Sequence, residues 1–351
     1  MVEILKSNWF VVLIGIIILS FVVYFVYDEN KYNVKGKSVD GQELLAAVGD
    51  TNITADEFYE EEGKFDQSLL YQMYKIAVLN ESITPTSEMK SDAKTLESTI
   101  RTNFESNYGE DYETTLNQQL ANYGFSGDDV LYQYCITSEL EKEANRNYID
   151  DHYDEEEAIL SEKSPRTISI LYITVADSDN LTEDEQQKMD DIDALIESDG
   201  FAAAVKAFSE DTDTVDNDGF YGYVDSDDET YSASTSSTTS LDGSIVTAAI
   251  ALEKGGVSDW ITVNDYYGYV YMYKVMVNET DIKTMYEDED DDVADQVLYA
   301  FISADTKLQY NAIQTLADQL DITFDDESVK EKIESYIEDA LADEEDEEEA
   351  A

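Results

Sequence analysis

TISILYITV, residues 167–175, is the stretch on which the reading of the fold turns. It follows Ser164-Pro165, is β-branched and apolar throughout, and reads as a buried strand. Just downstream, Thr182 with Glu185 forms a capping-box start to a helix whose Met189, Ile192, Leu195 and Ile196 share one face. A second helix is predicted over 201–208, a strand at 219–224 (GFYGYV), a Ser/Thr-rich loop over 232–240, a helix over 245–252 and a last strand over 269–275. Strand–helix–helix–strand–helix–strand makes residues 165–276 a small α+β unit.

Both flanks are helical in period. Upstream, Leu69, Leu70, Met73, Ile76, Ala77 and Leu79 form an apolar stripe, and 87–154 continues it with a break at 123–127 (YGFSG). Before them, 48–53 reads as a short strand and turn, and Thr54 with Glu57 as a capping box. Downstream, 293–320 is helical, followed by a short helix and an acidic tail over 343–349.

Composition excludes several classes. The 351 residues carry 81 Asp and Glu against 21 Lys and Arg, a net charge of −60, which repels phosphate backbones and argues against nucleic-acid partners. The runs 287–292 and 343–349 read as solvated charge, with diffuse cation binding as the alternative. A lone Cys135 and a lone His152 can build neither a disulfide nor a His-based metal centre. Thr214-x-Asp216-x-Asp218-Gly219 has the wrong first and twelfth residues, Thr214 and Asp225, for a calcium loop. No metal and no cofactor are expected.

Residues 9–27 (WFVVLIGIIILSFVVYFVY) carry no charge, and at about 1.5 Å per residue they span roughly 28 Å, the thickness of a bilayer core. Trp9, Tyr24 and Tyr27 lie at its edges, and the sequence after it lacks a small-x-small cleavage site. A single-pass anchor is expected, joined to the body by a polar stalk over 28–41; Lys6 and the amino terminus favour a cytoplasmic tail of residues 1–8, while Lys31, Lys35 and Lys37 pull the other way, and the body lies wholly on one side.

Five segments then carry a likeness: 46–61 (AAVGDTNITADEFYEE), 121–134 (ANYGFSGDDVLYQY), 201–224 (FAAAVKAFSEDTDTVDNDGFYGYV), 248–275 (AAIALEKGGVSDWITVNDYYGYVYMYKV) and 306–324 (TKLQYNAIQTLADQLDITF). In them the chain resembles the membrane-attached extracytoplasmic foldases of Gram-positive bacteria, which carry a parvulin-type peptidyl-prolyl isomerase module. The resemblance implies an α+β protein with an N-terminal transmembrane helix and one helical chaperone lobe. Two segments build that lobe, 42–164 and 277–335, with the parvulin-like domain, 165–276, inserted between them and an acidic tail over 336–351. Clients would be unfolded secreted polypeptides, held in an apolar cleft between the helical segments.

The resemblance also assigns a pocket. Asp211 keeps the family's acidic position, while Tyr172 and Val270 stand where the family has its two His. Leu241 and Ile245 stand for the pocket Met and Phe, and Phe220 replaces an Asp. Isomerisation lowers a barrier of about 18–20 kcal/mol by holding a twisted amide in an apolar pocket, without covalent chemistry. With both His replaced, activity is expected to be weak or lost. The alternatives are an active isomerase with a non-His pocket and an acidic, membrane-tethered adaptor.

Overall fold

A computed structural model of the chain describes residues 38–39, 42–48, 51–54, 67–127, 129–234, 240–288 and 291–342. The expected anchor at 9–27, residues 28–37 of the expected stalk and the end of the acidic tail lie outside the described residues, whereas Ser38 and Val39, expected in the stalk, form a strand paired with the one that follows. Among the described residues no helix is long and apolar enough to cross a membrane. The chain divides into two compact units, Met1–Ser68 and Leu69–Ala351.

In the first unit, β1 (Ser38–Val39), β2 (Gln42–Val48) and β3 (Thr51–Thr54) form an antiparallel sheet in that order. Thr54 is thus the last residue of a strand, paired with Leu44, and the helix expected after it falls on residues outside the described set.

The second unit opens with α1 (Gln67–Ser82), α2 (Ser87–Tyr108), α3 (Tyr112–Asn122), α4 (Val130–Asp151) and α5 (Tyr153–Ser161). Next come β4 (Arg166–Val175), α6 (Glu183–Asp199), α7 (Phe201–Phe208), β5 (Phe220–Val224), α8 (Gly243–Ile250), β6 (Ile261–Asn264) and β7 (Val270–Glu279). It closes with α9 (Ile282–Tyr286), α10 (Asp291–Ala304), α11 (Leu308–Ala317) and α12 (Glu327–Leu341). The protein is a mixed helical and sheet structure.

β4 and β7 pair along their whole length in an antiparallel sheet ordered β5-β4-β7-β6. Its two faces are both covered, which is why TISILYITV carries apolar residues of both parities, Ile168 and Ile170 on one face and Leu171, Ile173 and Val175 on the other. Ile168 and Ile170 of β4 and Val275 and Val277 of β7 pack under Ile245, Val246 and Ala249 of α8. Leu171, Ile173, Val175 and Met272 pack under Met189, Ile192, Phe201, Ala204 and Val205 of α6 and α7. The Thr182–Glu185 capping box forms at the start of α6, with the Glu185 N–H donating to Thr182 Oγ1 at 3.2 Å and Thr182 N–H donating to Glu185 Oε2 at 2.7 Å.

α4 is the spine of the helical part. Its first turns meet α2 and α3 through Ala93, Leu116, Leu120, Leu131 and Cys135. Its middle, Leu140 and Ala144, packs with Val78 and Leu79 of α1 and Ile313 and Ala317 of α11. Its end, Ile149, joins Leu160, Met285, Val297 and Phe301. Lys142 and Arg146 both bond Asp295 of α10, at 2.7 and 2.9 Å. Tyr71 of α1 packs with Ile333 and Ile337 of α12.

The outer edge of β5 is closed by α10. Gln296 Oε1 accepts the Tyr223 N–H at 2.8 Å, and the approach needs Gly222, whose φ is +124° and whose Cβ would stand 3.0 Å from that same oxygen. Gln296→Ala is therefore expected to speed amide exchange at Tyr223 and cost about 1 kcal/mol, the net worth of one such bond. Hydrogen exchange read at that amide checks it; an unchanged rate would mean the edge is closed by something else.

Candidate functional site

The face of the sheet beneath α8 gathers the residues that the sequence singles out. Tyr172 sits mid-β4, paired with Tyr273, and Tyr271 pairs one step on with Thr174. The period of two sends all three rings to one face. The Tyr172 ring lies 5.3 Å from Tyr271 at 85° and 5.1 Å from Tyr273 at 45°, and Tyr271 lies 6.3 Å from Tyr273. Leu241 and Ile245 border the same apolar cluster, Ile245 fully buried.

Asp211 is held against this face by a loop that continues the sheet edge. β5 pairs with β4 only as far as Ser169. Beyond it the segment 209–219 takes over: Ile170 N–H donates to Gly219 O at 2.8 Å, Glu210 N–H to Tyr172 O at 2.9 Å, and Thr174 N–H to Glu210 Oε2 at 3.0 Å. Both Asp211 oxygens are then committed within the loop. One accepts Thr214 Oγ1 at 2.6 Å and the other Asp213 N–H at 3.1 Å, and the residue is buried. It is a clamp on its own loop.

Burial, and then the nearby Asp211 carboxylate, push the Tyr172 phenol above its usual range. Burial does the same to Tyr273, with Tyr172 next, and to Tyr271, with Asp265 next. Tyr221 is raised chiefly by burial, partly offset by a hydrogen bond from the Leu241 backbone. A raised phenol stays protonated at neutral pH, so these groups donate hydrogen bonds and take no protons.

Two expected members are elsewhere. Val270 pairs with Val175 and packs with the α6–α7 cluster, on the opposite face from Tyr172. Phe220 packs against the cluster of α5, α9 and α10. Tyr221, Tyr271 and Tyr273 were not singled out from sequence. Counting back by twos from Val275 would have placed Tyr271 and Tyr273 on the Tyr172 face. Among the described residues no group of His, Cys, Asp and Glu is arranged to hold a metal.

The helical part holds a cleft of about 300 Å³ between α2, α3 and the start of α4, with walls that include Glu97, Arg101, Glu113, Asn117 and Asp129. It is polar and lies among helices that precede β4, whereas the helices α1, α4, α11 and α12 share apolar cores. Cys135 is buried beside it, and burial pushes its thiol up to about 11, so it is inert.

No family model and no curated protein matches the chain. Among the solved structures similar to it are foldases of Gram-positive bacteria. Foldase protein PrsA from Streptococcus pneumoniae is 20% identical, over 82% of this chain and 97% of that one, with a TM-score of 0.40. PrsA from Bacillus subtilis is 20% identical, over 84% and 98%, also at 0.40. A structure from Campylobacter jejuni described as a SurA-like chaperone is 13% identical, over 80% and 99%, at 0.22.

Proposed function

We propose that this chain is a holding foldase, attached to the cell membrane and working outside it on unfolded secreted polypeptides, with an isomerase-like module that has lost catalysis. The observation that carries the reading is the ring-on-ring packing of Tyr172, Tyr271 and Tyr273. Rings with centroids 5.1–6.3 Å apart touch one another, and a prolyl ring finds no slot between them. They occupy the face on which the resemblance expects a His-floored pocket. Asp211 is buried and turned to its own loop, where each of its oxygens accepts a hydrogen bond.

Within the second unit, the helices before β4 and those after β7 act as one lobe in this reading, since α11 and α12 share cores with α1 and α4. Attachment rests on the uncharged run 9–27. The −60 charge keeps a client-loaded chain soluble. The test uses the full chain in detergent micelles, with an aggregating reduced client and, separately, a prolyl-peptide isomerisation assay. Aggregation is expected to fall at equimolar chain, with isomerisation left at its uncatalysed rate. Strong acceleration would overturn the loss of catalysis; unchanged aggregation would overturn the holding role.

A further inference from the structure

The turn between β6 and β7, Asn264-Asp265-Tyr266-Tyr267-Gly268-Tyr269, displays three tyrosines to solvent: Tyr266 is 58% exposed, Tyr267 72% and Tyr269 60%. Single exposed aromatics are ordinary, but three on one tip are a surface. The tip is built to hold them still. Asp265 Oδ1 accepts the N–H groups of Tyr267 and Tyr269 at 2.9 and 2.8 Å, and its other oxygen accepts the Tyr271 hydroxyl at 3.4 Å. Asp265 N–H donates to Tyr269 O at 3.0 Å, and Gly268 N–H to Asp265 O at 3.1 Å. Gly268 supplies the positive φ, +89°, that closes the turn. The Tyr266 and Tyr267 rings brace each other edge to face at 5.4 Å.

Charge says what this surface takes. Residues 165–276 hold 23 Asp and Glu against five Lys and Arg, and each of the five is engaged within the fold. Arg166 donates to the Ser164, Ala249 and Leu252 carbonyls; Lys188 pairs with Glu210, Lys206 with Asp218 and Lys254 with Glu279. Lys274 pairs with Asp193 and lies over the Trp260 ring. An anionic partner, lipid or polypeptide, meets repulsion here; a cationic one meets carboxylates and the faces of pre-set tyrosines.

We infer that the Tyr266–Tyr267–Tyr269 tip is a capture site for extended, cationic segments of unfolded polypeptide, with Arg or Lys laid on the rings. The tip connects through Asp265 and Tyr271 to the Tyr172–Tyr273 floor, so one tyrosine strip runs from the edge of the sheet to its middle. Rigid, low-entropy tyrosines are the side chains that bind varied polypeptides adaptably. This inference rests on the holding role proposed above and names the clients that role would favour.

The experiment is fluorescence anisotropy of the full chain in micelles. The probes are a labelled peptide of Arg, Leu, Pro and Gly and its counterpart with Glu for every Arg. The chain is compared with Tyr266→Ser/Tyr267→Ser/Tyr269→Ser, whose positions are exposed and whose melting curve should match the parent. Expected are binding of the Arg peptide that weakens with salt, at least tenfold weaker binding by the triple variant, and none of the Glu peptide. Equal binding of both peptides, or an unchanged triple variant, would overturn the site. So would a triple variant that loses self-association or vesicle binding while keeping the peptide. Binding of the Arg peptide without suppression of aggregation would sink the holding role and leave the tip assignment standing.

Discussion

Gly219→Ala should unfold the β5-β4-β7-β6 sheet and its covering helices at temperatures the parent survives. Gly219 has φ +82°, and a Cβ there would lie 2.5 Å from Ile170 O and 2.9 Å from Val205 Cγ2. Left-handed φ alone costs a non-glycine residue about 1–2 kcal/mol. The clash adds more, since one obstacle is backbone of the central strand and the other a fully buried side chain of α7. A total of at least about 3 kcal/mol follows. The Ile170 N–H to Gly219 O bond would go, and with it the seam fixing 209–219 beside Tyr172. Gly268→Ala is the control: its φ is +89° but nothing lies within 4 Å of the new Cβ, so it should lose only about 1 kcal/mol. Thermal melts of both variants check this, and equal losses would show that the clash is relieved by a shift of the loop.

Glu156→Gln should raise stability at pH 8 and leave it nearly unchanged at pH 4. Glu156 is buried in the first turn of α5, and its Oε2 has no hydrogen-bond partner. Burial, then Asp305, push its carboxyl up to about 7; His152 opposes them, and Glu155 adds a smaller push. The folded state therefore holds this proton more tightly than the unfolded chain, whose carboxyl titrates near 4.5. The contribution to stability is present below the unfolded value and is lost as pH rises through the folded one. Each pKa unit is worth about 1.4 kcal/mol, so above pH 7 the ionised group costs on the order of 3 kcal/mol. Gln keeps the shape without the charge, and part of that cost remains because a buried amide also wants partners. A net gain of about 2 kcal/mol at pH 8 is expected from urea unfolding at the two pH values. Parallel curves at both would mean Glu156 keeps its charge by a route to water.

Much of this was legible in the chain because the signals were local. Thr182 and Glu185 announced the start of α6, the 201–208 run bounded α7, and the β-branched, mostly apolar stretch of 167–175 belonged to a strand covered on both faces. The strand ITVN, β6, was missed, as four residues between two loops carry almost no periodic signal. The pocket depended on register. Counted forward from Gly268, the position in question is Val270; counted back from Val275, it is Tyr271, and in a strand one residue exchanges the faces. Phe220 stands beside Gly222, whose φ of +124° departs from ordinary strand backbone, which no nearest-neighbour pattern reveals. The buried, unpaired carboxylate of Glu156 depends on α5 meeting the Asp305 end of α10, a long-range fact with no signature in either segment.

Under the holding role proposed above, the closing of the sheet's edge by Gln296 would bear on how long a client stays. With 209–219 laid along β4 and α10 against β5, the outer side of β6, four residues long, is the uncovered edge of the β5-β4-β7-β6 sheet. An extended chain arriving at this sheet would find little backbone to pair with and would be gripped through its side chains. Such a grip comes apart one side chain at a time, with no row of backbone hydrogen bonds to unzip. A client held in this way would then be let go in pieces.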